Sequence, residues 1–299
     1  MGGFLSVRLV KADAYELQQN IFFTEYDLDV DTTIFKYDSV KNEVAEVGKV
    51  KGCFYKCIVD SKETYITGLL YDFDEKKTGI ACYDLTTREI IPYELPDTID
   101  EIAATDEWHI SLLYNGGNKF LVSYDDENEH EMWLFYDLDT GQYDVIEGEE
   151  YGTNQFLGVY NNTLWYVAFA GGTLYQYDLE TGTKTKVLDS VTSVAIKADI
   201  GKIAYTKNDN RKKIYLYDMN SKKTTHLTWT RWNTYYELSR SESRWSDDGR
   251  MFFCVSSFPG LFGASEESLM VYDMKSGKQF CIYKVKNTLH QFRYVASGQ

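Results

Sequence analysis

Short runs of alternating apolar and polar residues are spread along the chain, and one arrangement of them recurs. In LYQYDLETGTKTKVL, residues 174–188, an alternating run ends at Tyr177-Asp178, a polar turn containing Gly182 follows, and a second run resumes at Lys184–Leu188. A period of two residues is the mark of a strand, and two such runs around a glycine-containing turn predict a hairpin. The phrase has five counterparts: IFKYDSVKNEVAEV, IACYDLTTREIIPY, WLFYDLDTGQYDVI, IYLYDMNSKKTTHL and LMVYDMKSGKQFCI. Helical periodicity is nearly absent; only KADAYELQQN near the start has room for a turn or two.

In the six phrases the Tyr-Asp pair begins at residues 37, 83, 136, 177, 217 and 272, giving intervals of 46, 53, 41, 40 and 55 residues. Strand-rich repeats of this length predict propeller blades. Two further runs precede the hairpin in the later units: QFLGVYNN and TLWYVAFAGG in the fourth, VTSVAIKADI and KIAYTKNDN in the fifth, SESRWSDDG and RMFFCVSSF in the sixth. Four strands make a blade, with A innermost and B, C and D following outward. The predicted fold is all-β, a single β-propeller domain over residues 1–299 built of four-stranded antiparallel blades. Six phrases predict six blades, with seven as the alternative because two intervals are long. For closure, the tail LHQFRYVAS supplies an inner strand beside NIFFTEYD, or FLSVRLV takes that place.

The stretch WSDDGRMFF resembles the W-S-x-D-G-x-x-aromatic element of TolB-type and related WD40-like propeller repeats. KIAYTKNDNRKKIYLYDMNSKKTTHLT is similar to the B, C and D strands of the same repeat. The resemblance is clear over residues 190–285 and implies a fold, not an activity; the first three units lack the W-S-x-D-G element.

Within each hairpin the turn slot holds Gly141, Gly182 or Gly277, whose freedom at positive φ suits a tight turn. In the other three copies it holds Asn42, Arg88 and Lys222, of which the last two must accept strain or another turn type. The Asp that precedes the turn is expected to be structural, its carboxylate accepting hydrogen bonds from turn amides. Six copies of one carboxylate around a ring cannot all be catalytic.

Blade topology puts the A–B and C–D loops on one face, here the turn face, and the B–C and D–A loops on the other, the loop face. The repeated turns and Asp247-Asp248-Gly249 fall on the turn face. On the loop face, units one to three carry the acidic loops DLDVDTT, DFDEKKTG and DDENEHEM. Asp27, Asp29 and Asp31 are candidate calcium ligands with Asp38 at the twelfth position, but Thr32 replaces the glycine such a loop needs, and a solvated acidic face is the alternative. The D–A connection TWTRWNTYYELSR, residues 228–240, concentrates Trp229, Arg231, Trp232, Tyr235 and Tyr236. The neighbouring B–C loop FPGLFGASEES adds Phe258, Leu261 and Phe262. Aromatic residues with arginine are the usual composition of a binding hot spot, and such a platform can anchor a peptide or stack on a sugar. Inward packing of the same side chains is the competing reading.

Charge sharpens this picture. The net −15 divides into −21 over residues 1–150 and +6 over residues 151–299. The acidic half argues against nucleic acid as a partner and favours a basic protein or peptide. Among five cysteines, Cys82, Cys254 and Cys281 sit in strand-like runs as small apolar residues, and Cys53-x3-Cys57 has no histidine or second pair nearby. His109, His130, His226 and His290 are scattered, and no G-x-S-x-G, P-loop or G-x-G-x-x-G motif is present. The expectation is a non-catalytic scaffold without a cofactor that binds a protein or peptide. The alternatives are carbohydrate binding or cleavage, the latter requiring paired carboxylates, and a calcium-dependent propeller. No apolar run approaches the roughly 20 residues of a membrane span. The start MGGFLS fits a myristoylation pattern but lacks the basic and apolar regions of a signal peptide. A cytoplasmic chain and a secreted chain whose leader was removed both stay open.

Overall fold

Each Tyr-Asp phrase folds as the outer hairpin of a four-stranded unit. The computed structural model describes residues 20–27, 31–38, 41, 43–60, 62–74, 77–93, 110–113, 119–125, 130–137, 140–148, 154–168, 171–207, 210–227, 234–237, 250–257, 266–274, 276–285 and 290–297. In chain order the strands are β1 (Ile21–Asp27), β2 (Thr32–Asp38) and β3 (Glu43–Val50), then β4 (Cys53–Val59), β5 (Tyr65–Asp72), β6 (Lys77–Asp84) and β7 (Ile90–Pro92). There follow β8 (Ile110–Leu113), β9 (Lys119–Asp125), β10 (Glu131–Asp137) and β11 (Tyr143–Glu147), then β12 (Asn154–Tyr160), β13 (Thr163–Ala168), β14 (Thr173–Asp178) and β15 (Lys184–Leu188). The last are β16 (Val191–Lys197), β17 (Lys202–Lys207), β18 (Asn210–Asp218) and β19 (Lys223–His226), then β20 (Thr234–Glu237), β21 (Arg250–Ser257), β22 (Glu266–Asp273), β23 (Lys278–Val285) and β24 (His290–Ser297).

These strands hydrogen-bond as β24-β1-β2-β3, β4-β5-β6-β7, β8-β9-β10-β11, β12-β13-β14-β15, β16-β17-β18-β19 and β20-β21-β22-β23. The described strands thus form four separate four-stranded antiparallel sheets and one eight-stranded sheet made of two such units joined through β24 and β4, an arrangement consistent with six blades. β1 pairs with β24 from Phe22 opposite Val295 to Asp27 opposite His290. β24 also touches β4 in parallel, with Ala296 opposite Ile58 and Ser297 opposite Val59.

The core lies between blades, which explains why the middle strands are apolar on both faces rather than alternating. In β9, Phe120 and Val122 pack with Tyr55, Ile58, Leu69 and Ile80 of the second blade. Their neighbour Leu121 points the other way, joining Trp133, Phe156, Leu164 and Tyr166 between the third and fourth blades. The same division recurs in β4, where Phe54 and Cys57 meet Phe22, Ile34 and Val50 of the first blade while Tyr55 and Ile58 face the third. Trp165, Leu174, Val191, Ile203 and Tyr215 fill the fourth junction, and Ala195, Ala204, Leu216 and Tyr272 the fifth. Each such side chain, fully buried, contributes on the order of 1.5–3 kcal/mol.

Inner strands carry bulges that increase twist and let the blades radiate. The register slips between Tyr55 and Ile58 in β4, between Phe156 and Gly158 in β12, and between Val191 and Ser193 in β16. A polar clasp crosses the first junction: Asn20 Nδ2 donates to both Glu63 carboxylate oxygens at 3.0 and 2.9 Å, and Lys36 Nζ to Glu63 Oε2 at 2.7 Å.

Candidate functional site

The repeated motif must be accounted for first, because it sets a carboxylate at the same place in every blade. Asp84 Oδ1 accepts from the amides of Thr86 at 2.7 Å and Thr87 at 3.0 Å. Asp178 Oδ1 accepts from Glu180 at 3.0 Å and Thr181 at 2.8 Å, Asp137 from Thr140 at 3.2 Å, Asp218 from Ser221 at 2.7 Å and Asp38 from Lys41 at 3.0 Å. Asp273 instead accepts from the Ser276 hydroxyl at 2.6 Å. The Thr87 and Thr181 amides hold the Asp84 and Asp178 carboxyls below their ordinary value. The Lys202 ammonium beside Asp218, with the Ser221 amide, holds that carboxyl lower still. All six aspartates are committed to their turns, and Asp84, Asp178 and Asp218 are held there in the ionised form, which is the structural role the sequence predicts.

The preceding tyrosine packs over the turn where the slot is glycine, whereas the Tyr83 hydroxyl lies against Gly48 of the first blade. Tyr37, Tyr83, Tyr136 and Tyr272 are buried, and burial pushes the Tyr37, Tyr83 and Tyr272 hydroxyls up, so they stay protonated. The Tyr177 hydroxyl lies against Gly182 and the Tyr272 hydroxyl against Gly277, both glycines at φ 67°. Arg88 at φ 64° and Lys222 at φ 56° adopt the same conformation without glycine's freedom. A further backbone bond ties the C–D turn to the A–B loop of its own blade: Leu85 to Thr64, Leu179 to Asn162 and Met219 to Gly201. The turn face is therefore a scaffold.

The opposite face differs in kind. Thr32 Oγ1 donates to the Gly52 carbonyl at 2.8 Å and accepts from the Phe54 amide at 2.8 Å, fixing where the first blade passes into the second. Beside it, Lys51 bonds Asp74 at 2.5 Å with Asp72 and Asp31 nearby, and that bond raises the Lys51 pKa. Lys51 and Asp74 are mostly exposed, so the pair adds little stability. β2 runs from Thr32 to Asp38, so Asp31 and Asp38 stand at its two ends, roughly 20 Å apart at strand rise. Asp38 thus serves its turn and shares no ion with Asp31. Of the other calcium candidates, Asp29 and the Asp27 side chain lie outside the described residues. The described residues contain no group of three or more His, Cys, Asp or Glu placed to hold a metal.

The backbone superposes on TolB from Acinetobacter baumannii with a TM-score of 0.64 at 13% identity, covering 93% of this chain and 66% of that one. It superposes on putative TolB from Agrobacterium tumefaciens with a TM-score of 0.62 at 8% identity, covering 92% and 98%. A chain of a nidogen/laminin complex gives a TM-score of 0.59 at 7% identity, covering 93% and 98%. The chain has a TolB-like β-propeller fold. No family model matches its sequence, and no curated protein sequence matches it. Among the described residues of this TolB-like propeller no helix is long and apolar enough to cross a membrane.

The aromatic cluster is only partly placed. Trp229, Arg231, Trp232, Phe258, Leu261 and Phe262 lie outside the described residues, as do FLSVRLV and Asp247-Asp248-Gly249. Tyr235 and Tyr236 belong to β20, opposite Ser256 and Val255 of β21. This corrects the reading of residues 228–240 as connection throughout: Thr234–Glu237 is the inner strand of the sixth blade, and SESRWSDDG falls between β20 and β21. Two aromatic residues flanked by Thr and Glu have high strand propensity, which outweighed the loop-like residues around them.

The cysteines behave as small apolar groups where described. Cys57 is buried against Gly68, and burial pushes the Cys82 thiol up. Cys53 and Cys57 share β4 but four residues apart, too far along a strand for one ion. His226 sits edge-on to Tyr215 at 4.8 Å, and His130 is exposed. His109 and the side chains of Cys254 and His290 lie outside the described residues. Sequence reasoning placed β11 as the second strand of the WLFYDLDTGQYDVI hairpin but missed its exposure and the pocket of about 330 Å³ at its start, lined by Phe135, Tyr136, Asp137, Tyr143 and Asp144. The available signal was YDVIE, whose apolar residues occupy positions that KTKVL fills with lysine.

Proposed function

We propose that this TolB-like propeller is a non-catalytic scaffold that binds a protein or peptide on its loop face. The contact residues are Trp229, Arg231, Trp232, Tyr235 and Tyr236 with Phe258, Leu261 and Phe262. Residues 1–299 form one domain, closed by the β1–β24 ladder. The observation that carries this reading is the division of labour between faces: the ordered carboxylates of the motif are consumed in turns, while the irregular connections sit opposite. The similarity to a chain crystallised in a nidogen/laminin complex supports a protein partner, and the acidic first half supports a basic one.

The test is capture from lysate with the wild type and a Trp232→Ala/Phe262→Ala double variant, both confirmed folded. A protein retained only by wild type supports the scaffold. Retention by both forms contradicts the site. No capture by either, together with wild-type binding on a glycan array, replaces the protein partner with carbohydrate.

A further inference from the structure

The outer strands of the blades are not alike. β15 exposes Lys184, Thr185 and Lys186, and β19 exposes Lys223, Thr224, Thr225 and His226. Lysine on an edge discourages pairing with another chain. β7 is three residues long and ends in Pro92, which has no N–H to donate. β11 has neither safeguard: it is the last strand of its sheet, Tyr143 is 55% and Val145 40% exposed, and its only charges are Asp144 and Glu147.

The ladder shows which backbone groups are free to pair. Asp137 N donates to Gln142 O at 2.9 Å and Gly148 N to Glu131 O at 2.6 Å, with Phe135–Asp144 and Trp133–Ile146 as the pairs of the same parity between them. In an antiparallel ladder the intervening residues turn their N–H and C=O away from the partner. Those residues are Tyr143, Val145 and Glu147. At the start of the strand lies the pocket of about 330 Å³ bordered by Phe135, Tyr136, Asp137, Tyr143 and Asp144, with Phe135 and Asp144 cross-strand partners on one face of the sheet and Tyr136 and Tyr143 partners on the other. Carboxylates beside aromatic faces suit a cationic side chain.

We propose that β11 is a docking edge for an extended basic peptide segment of a partner protein. The segment adds as a strand beside Tyr143–Glu147, and one of its Lys or Arg side chains enters the pocket at Asp144. Main-chain bonds give such a mode its affinity and the pocket its specificity. The site is independent of the loop face, so either can fail alone.

The test titrates a fluorescent acetyl-Thr-Val-Lys-Val-Arg-Val-Thr-amide peptide against the full chain by anisotropy, with a Glu-for-Lys/Arg peptide as control. Val145→Pro removes an outward N–H that β10 does not use, Val145→Thr keeps it, and Asp144→Lys reverses the pocket's charge. Circular dichroism confirms that each variant is folded. The proposal expects saturable binding of the basic peptide to wild type and Val145→Thr, and at least about tenfold weaker binding to Val145→Pro and Asp144→Lys. If Val145→Pro fails to fold, Asp144→Lys carries the test. The proposal is overturned if wild type does not saturate by about 1 mM, if both peptides bind alike, or if the folded variants bind as wild type does. Sedimentation of the protein alone that shows a dimer abolished by Val145→Pro would make the occupant a second copy and overturn the peptide assignment.

Discussion

On the turn face, the second and fourth blades repeat one set of bonds: an Asp carboxylate capping its turn, an amide four residues later donating back to the Asp carbonyl, and the residue after the Asp tied to the A–B loop; the fifth repeats the first and the last of these. Among the described residues of the loop face, the ties between blades differ. Between the first and second blades Thr32 N donates to Gly52 O, whereas between the fourth and fifth the direction reverses and Val191 N donates to Gly172 O. A side chain that repeats around the ring is spent on the fold. Side chains that vary from blade to blade are free for recognition, which is why the binding proposal rests on the irregular face.

The largest expected effect breaks both faces together. Trp133 is wholly buried and ringed edge-on by Phe156, Tyr166 and Tyr177 at 5.2–5.5 Å. Trp133→Ala should cost about 3–5 kcal/mol, read from denaturant unfolding, and abolish any ligand binding with it. Next comes Gly52, at φ 94° with a Cβ position 2.5 Å from the Tyr71 carbonyl oxygen. Gly52→Ala should cost about 1–3 kcal/mol, showing that the loop face holds fixed struts between its variable loops.

Acid should act on the turn face selectively. Asp84, Asp178 and Asp218 have lowered folded-state pKa values, so the folded chain binds fewer protons than the unfolded one. The stability they contribute is complete above the ordinary carboxylate value near about pH 4 and is lost as pH falls through the folded values. Replacing the three with Asn should lower the melting temperature at pH 7 and flatten its fall below pH 4, measured by thermal scans across that range. Because these groups are exposed, solvent screening keeps the effect modest. The smallest effect has the opposite sign: Arg88→Gly and Lys222→Gly relieve a left-handed residue, less glycine's entropy, and should each stabilise by about 0.5–1 kcal/mol in denaturant melts.

The hairpins were legible because the phrase encodes them locally. Lys184–Leu188 is a strand as read, and so are the runs before it, because alternation, Asp and a turn residue all point the same way. The inner-strand bulges were not legible: VTSVAIK contains no residue that marks the slip at Thr192, which is imposed by packing between blades. The inner strand of the sixth blade was missed because TYYE is four residues long and sits among loop-forming neighbours. The β11 edge was missed because exposure depends on which strand is outermost, and a period-two pattern reads the same on an edge as in the middle.

The most direct measurement titrates the captured partner against two double variants by calorimetry. The account predicts that Trp232→Ala/Phe262→Ala binds about 100-fold more weakly or worse while melting near the wild-type temperature. It predicts that Asp178→Asn/Asp218→Asn melts lower but binds with wild-type affinity. Loss of affinity on the turn face with the loop-face variant unaffected would contradict it.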